Sequence, residues 1–210
     1  MSIQNRIKIS ASYSSFIKEI NSLEKFDFQN HQKFNNNELT TAQVELMVES
    51  IFFAAFRAYE GFIREIFVLY CQEKKTIRKT KIKSYIKPKN FEHSEQLLKS
   101  STTFLDWTSP DEIIKRAELF LENGYPIKLP YTTNLQELRN FKQLRNKIAH
   151  NSIESNNNYE KLVRNYYNGI LPIKKITPGQ YLMLTSKRNH SNYLLLDFFE
   201  LLKKISVDLT

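Results

Sequence analysis

From Ala42 to about Lys74 the chain contains no proline, and its apolar residues recur every three or four positions. Val44, Met47, Val48, Ile51, Phe52, Ala55, Tyr59, Phe62, Ile63, Ile66 and Leu69 fall on one wide face, which predicts a single long helix. Thr40 followed by Gln43 is a capping-box pattern that fixes where it starts. At helical rise such a segment spans about 45 Å or more. An apolar face of that width needs other helices to cover it, so this one stretch already points to a mainly α architecture. Gly61 inside it predicts either a bend or a close approach of another element. Only 4 Gly and 6 Pro occur in 210 residues, too few for an all-β chain rich in tight turns, while 15 Phe and 11 Tyr supply core volume.

The remaining elements follow from the same periodicity. Ile3, Ile7, Tyr13, Phe16, Ile17, Ile20 and Leu23 predict a first helix over residues 3 to about 26. The Asn-rich stretch FDFQNHQKFNNNELTT reads as a loop. After a polar region over 89–107, Ser109-Pro110-Asp111-Glu112 marks a helix start, and Gly124 marks its stop. YPIKLPYTT reads as a turn-rich connector. Thr133 with Gln136, or Asn134 with Glu137, then caps a further helix. SIESNNNYE reads as a loop or loosely capped start, and Tyr159–Tyr167 as a short helix. Pro172, Pro178 and Gly179 suggest a small β-hairpin over about 171–185. Asn192 to about Val207 is apolar around most of its circumference and predicts a buried last helix. The expected organisation is one domain over 1–210 with a basic and polar insertion at about 75–109.

The formal net charge is +9, and its distribution is uneven. Lys74, Lys75, Arg78, Lys79, Lys81, Lys83, Lys87 and Lys89 lie in one run without an acid. That run reads as a solvated helix end with an apolar underside, as an RNA-backbone groove wall in which Tyr85 stacks on a base, or as a contact for an acidic partner. The lone Cys71 permits neither an internal disulfide nor a thiolate cluster. No secretory leader or membrane span is legible, so a cytoplasmic protein without membrane contact is expected. His31, His93 and His190 stand apart without metal-ligand spacing, and no Gly-rich phosphate loop occurs. No metal and no cofactor are expected. Trp107 reads as a packing residue.

The chemistry-bearing stretch is LRNFKQLRNKIAHNS, residues 138–152. Leu138, Phe141, Leu144 and Ile148 form its core stripe, and Arg145, Ala149, Lys142, Asn146, Arg139 and His150 share the adjoining face. Asn146 and His150 are neighbours at i and i+4, whereas Arg145 and His150 lie about 140° apart and do not pair. They can converge on a group lying over the small Ala149. A neutral His accepts a proton from a nucleophile, Arg holds two phosphate oxygens, and Asn orients either, which suits phosphodiester chemistry. The plainer reading is that Arg and His at a helix C-terminus complement its dipole.

Arg145-Asn146 followed by Ala149-His150 resembles the R-x4-H signature of the HEPN superfamily, with nearest likeness to stand-alone proteins of the RiboL-PSP kind. The likeness covers about residues 42–74 and 133–155. It implies a helical bundle with long antiparallel helices and a homodimer in which two R-x4-H helices face each other. The implied activity is metal-independent endoribonuclease action on RNA, in toxin–antitoxin control or anti-phage defence, with an antitoxin or ATPase as a further partner. By that likeness Arg145 would stabilise the scissile phosphate and His150 would act as acid/base. Asn146 would orient phosphate or His150, and Glu60, directly after Tyr59, would fix Arg145 or His150. Arg139, Lys142, Lys79, Lys81, Lys83 and Tyr85 would extend RNA contacts. The competing class is a non-catalytic module of the same fold that binds RNA or a partner protein.

Overall fold

The computed structural model describes residues 8–99, 105–150, 152–170 and 172–210. They form nine α-helices: α1 (Ile9–Asn35), α2 (Thr41–Cys71), α3 (Phe91–Lys99), α4 (Pro110–Phe120), α5 (Lys128–Thr133), α6 (Leu135–Ala149), α7 (Ile153–Tyr166), α8 (Pro178–Leu182) and α9 (Leu194–Leu209). Isolated bridges join Ser84 to Leu121 and Thr185 to Tyr193, and no longer strand occurs among the described residues. The fold is therefore mainly helical. None of the described helices is long and apolar enough to cross a membrane.

The predicted long helix is α2, 31 residues. Its capping box closes as expected: the Thr40 N–H donates to Gln43 Oε1 at 2.8 Å, and the Gln43 N–H donates to Thr40 Oγ1 at 3.3 Å. The predicted apolar face is buried except at Met47, which is half-buried. Gly61 does not serve close packing, since a Cβ there would meet nothing within 4 Å. The described residues divide into two compact units. Residues 8–18, 58–99, 105–138 and 203–210 form the first, and 19–57, 139–150, 152–170 and 172–202 form the second.

In the first unit Phe16 stacks on Phe62 at 4.7 Å between ring centroids, and Phe67 meets Trp107 edge-on at 5.6 Å. The Tyr70 hydroxyl donates to the Leu209 carbonyl. The polar region over 89–107 contains α3. The His93 N–H donates to Asn90 Oδ1 at 2.8 Å, capping the helix, and Leu98 is fully buried. The expected connector at 125–133 contains α5, whose Pro130 lies in the first turn, where a missing N–H costs no intrahelical bond. The basic run is not a helix end. It is extended and laces onto the end of α4: the Tyr85 N–H donates to the Phe120 carbonyl at 2.9 Å and the Glu122 N–H to the Lys83 carbonyl at 3.0 Å.

In the second unit Phe198 is the hub of an aromatic cluster, 4.6 Å from both Phe52 and Phe141. Tyr181 packs edge-on against Tyr159 and Tyr166. Two expectations are corrected here. The hairpin of residues 171–185 is absent among the described residues; 178–182 form α8. Thr177 and Gln180 make a capping box and Pro178 occupies the first turn, all of which favour a helix start over a strand. Leu171 lies outside the described residues, as do Ile3 and Ile7 of the first predicted helix. The loop predicted after residue 26 begins only after Asn35, because buried polar contacts reward the helix. The Tyr193 hydroxyl donates to the buried Asp27 carboxylate, and the His31 ring stacks on Tyr193 at 4.7 Å.

His31 Nδ1 lies 3.1 Å from the Asp27 carbonyl and 3.4 Å from its carboxylate. The hydrogen bond to the Asp27 side chain, against the opposing effect of burial, raises the imidazole pKa above its ordinary value. The pair therefore stabilises the fold fully below the unfolded histidine pKa of about 6.5, and that contribution is lost as pH rises through the higher folded value. The unfolding midpoint is therefore expected to fall as pH rises above the ordinary histidine range and through the raised folded value. Calorimetry on His31→Gln should show that slope reduced; an unchanged slope would assign it to other groups.

Candidate functional site

The polar face predicted for α6 is present. Leu138 and Leu144 are buried, Phe141 and Ile148 half-buried, and Arg139, Ala149 and His150 exposed. Lys142, Arg145 and Asn146 are half-buried on the margin between stripe and solvent. Helical geometry alone separates Arg145 from His150, and the second unit holds them apart. The Arg145 guanidinium lies over the Phe53 ring, 5.5 Å from its centroid, a cation–π contact that restrains the side chain. Asn146 links the two: its Oδ1 is 3.5 Å from Arg145 Nη1, and its carbonyl accepts the His150 N–H at 2.9 Å.

The turn that carries His150 is tied down on the α7 side. The His150 carbonyl lies 2.8 Å from Ser155 Oγ, which also lies 2.9 Å from the Ser152 carbonyl. Ser152 Oγ accepts the Ser155 N–H at 3.1 Å as the cap of α7, and the Lys147 ammonium donates to Asn156. These bonds fix the exit of α6 and the entry of α7. Together they enclose an open polar cleft of about 340 Å³ lined by Gln143, Asn146, His150, Ser152, Glu154 and Asn158, with Ser155 at its base.

The structure thus brings Asn146 and His150 into one cleft and leaves Arg145 on the neighbouring face. Of the two readings of SIESNNNYE the structure takes the helix start, since α7 begins at Ile153 rather than near Tyr159 and so carries Glu154 and Asn158. The signal lies in Ser152, a cap residue, followed by Glu154 in the first turn, where an acid suits the positive helix end. Three consecutive asparagines, each a poor helix former, obscure it.

Glu60 is half-buried on α2 and belongs to the first unit, as do the basic segment and Tyr85. Lys79 occupies a turn with φ 65°. Because the segment is extended, its side chains alternate. Lys81, Lys83, Tyr85 and Lys87 are exposed, whereas Ile82 is buried and Ser84 and Ile86 half-buried. Lys83 pairs with Glu122 at 3.1 Å, and Tyr85 is 63% exposed. Lys81, Lys83, Tyr85 and Lys87 thus form the exposed set of an alternating segment.

No family model, no curated protein and no solved structure matches the chain.

Proposed function

We propose that the protein is a HEPN-like endoribonuclease that works without a metal, as a homodimer whose facing α6 helices form one composite site. The observation that carries this reading is the pairing of Asn146 and His150 in an open polar cleft, beside exposed Ala149 and next to a restrained Arg145. In the reaction the 2′-oxygen of RNA attacks the neighbouring phosphorus and the bond to the 5′-oxygen breaks. The products are a 2′,3′-cyclic phosphate and a 5′-hydroxyl. His150 takes the proton from the 2′-hydroxyl or returns one to the departing 5′-oxygen. Arg145 stabilises the charge that develops on the phosphoryl oxygens, and Asn146 orients the phosphate or the imidazole. Arg139 and Lys142 extend phosphate contacts, and a long antiparallel bundle frames the site. Such an enzyme fits toxin–antitoxin control or anti-phage defence, with an antitoxin or ATPase restraining or triggering it.

A second reading, a non-catalytic module that holds RNA or an acidic partner, is favoured by the exposed row of Lys81, Lys83 and Tyr85, which offers binding without chemistry. One experiment separates them. Wild type and His150→Ala are incubated with tRNA, mRNA and total RNA in excess chelator. Loss of a general acid/base predicts a rate reduction of about 10²–10⁴-fold. Intact RNA with both proteins, or equal degradation by both, would remove the catalytic reading for these substrates. Light scattering at micromolar concentration tests the dimer independently, since a monomer cannot form a shared cleft.

A further inference from the structure

We infer that the cleft between α6 and α7 is a nucleobase-recognition subsite, selective for guanine, in which Glu154 is the specificity-determining residue. The inference rests on the proposed ribonuclease reading for its place in a reaction, but its own argument comes from the lining. Two amides on α6, Gln143 and Asn146, face a hydroxyl, a carboxylate and a third amide at the start of α7: Ser152, Glu154 and Asn158. No Lys or Arg is among the described residues that line it. Among the described residues it therefore holds no guanidinium or ammonium to grip a phosphate. It is instead furnished with the neutral and acidic groups that read base edges. At about 340 Å³ it falls within the range of small-ligand sites, which runs from about 300 to 1,000 Å³.

The carboxylate selects among the bases. A carboxylate only accepts hydrogen bonds, so it pairs best with an edge that presents two adjacent donors. Guanine offers these in N1–H and the N2 amino group. Adenine and cytosine present one donor group beside an acceptor, and uracil presents a single N–H between two carbonyls. The Gln143 and Asn158 amides then donate to guanine O6 and N7, leaving Asn146 beside His150. No aromatic side chain is among the described residues that line the cleft, so stacking adds little and the site contributes discrimination more than affinity. The geometry divides the labour: phosphate lies toward Arg145, a base enters the cleft, and His150 stands at the boundary between them. The clamp of the His150 carbonyl by Ser155 holds that boundary in place.

The test uses the full chain and two readouts. Guanosine, adenosine, cytidine and uridine 3′-monophosphates are titrated into wild type and Glu154→Gln by NMR, with circular dichroism confirming that both are folded. In parallel, a random-sequence RNA pool is digested in chelator and the cleaved ends are sequenced. The expected result is about ten-fold tighter binding of the guanosine nucleotide to wild type, lost in Glu154→Gln, and a guanine enriched at one fixed position beside the cut. Guanosine selectivity without cleavage would overturn the nuclease reading and leave the base subsite standing. Cleavage with no base preference, or with a preference that Glu154→Gln leaves intact, would overturn the subsite and leave the nuclease standing. Preferred binding of another nucleotide also overturns the guanine assignment. Neither binding nor cleavage overturns both.

Discussion

Arg145→Ala is expected to slow RNA cleavage by about 10²–10³-fold, the usual cost of deleting one group aimed at developing transition-state charge. The loss should appear in single-turnover rates more than in RNA affinity, because a phosphate-stabilising contact strengthens as charge builds on the phosphoryl oxygens. Some stability should also be lost. The guanidinium covers the Phe53 ring, and a contact of that kind contributes about 0.5–2 kcal/mol. Arg145→Lys discriminates between the two meanings of this residue. Lysine keeps the positive charge near the end of α6, and that suffices if Arg145 only complements the helix dipole. It lacks the planar fork that grips two oxygens, so a phosphate-binding role predicts that activity stays low. Full activity in Arg145→Lys would return this residue to the plain helix-end explanation.

Gly179→Ala should be among the most damaging single-methyl changes in the chain. A Cβ at that position would lie 2.6 Å from the Glu45 carbonyl oxygen and 2.9 Å from that residue's carbonyl carbon and Cα. These are backbone atoms inside α2, so they cannot swing aside. The contacts around them would be disturbed together: the Gly179 N–H donates to Glu49 at 2.8 Å, and the Gln180 amide donates to Glu45 at 2.8 Å. Overpacking of this kind costs about 2–4 kcal/mol, or roughly 4–16 °C in the unfolding midpoint for a chain of this size. Gly61→Ala is the internal control. It sits mid-helix with open space around its Cβ, so it should stabilise by about 0.5–1 kcal/mol. Equal midpoints for the two variants would show that the Gly179 contact carries no such cost.

Helical periodicity made α2, α9 and the polar face of α6 legible, because burial and propensity agree there. The Thr40 and Gln43 capping box located the start of α2 to within one residue, at Thr41 rather than Ala42. Reading failed where local composition and tertiary reward diverge. Residues 26–35 look like an Asn- and Gln-containing loop. They stay helical because Asp27 and Asn30 are buried, and Asp27 finds partners in Tyr193 and His31 that lie distant in sequence or unsignalled by it. The helical reading of residues 74–89 failed for the complementary reason. Its hydrogen-bond partners, Phe120 and Glu122, lie some 35 residues downstream, and only they make the segment extended. At the site, Asn146 and His150 were neighbours by spacing alone. Glu154 was not, because its arrival depends on the Ser152 cap turning α7 back beside α6.

Trp107 packs edge-on against Phe67, and it is the chain's only tryptophan. Both residues belong to the first unit, whereas the α6–α7 cleft belongs to the second. Tryptophan emission therefore registers loosening around Phe67, inside the first unit. Far-UV dichroism sums both units. Denaturant curves recorded by the two methods will coincide only if the units melt in one cooperative step. A variant such as Gly179→Ala, which strikes the second unit, is the sharpest way to pull those curves apart.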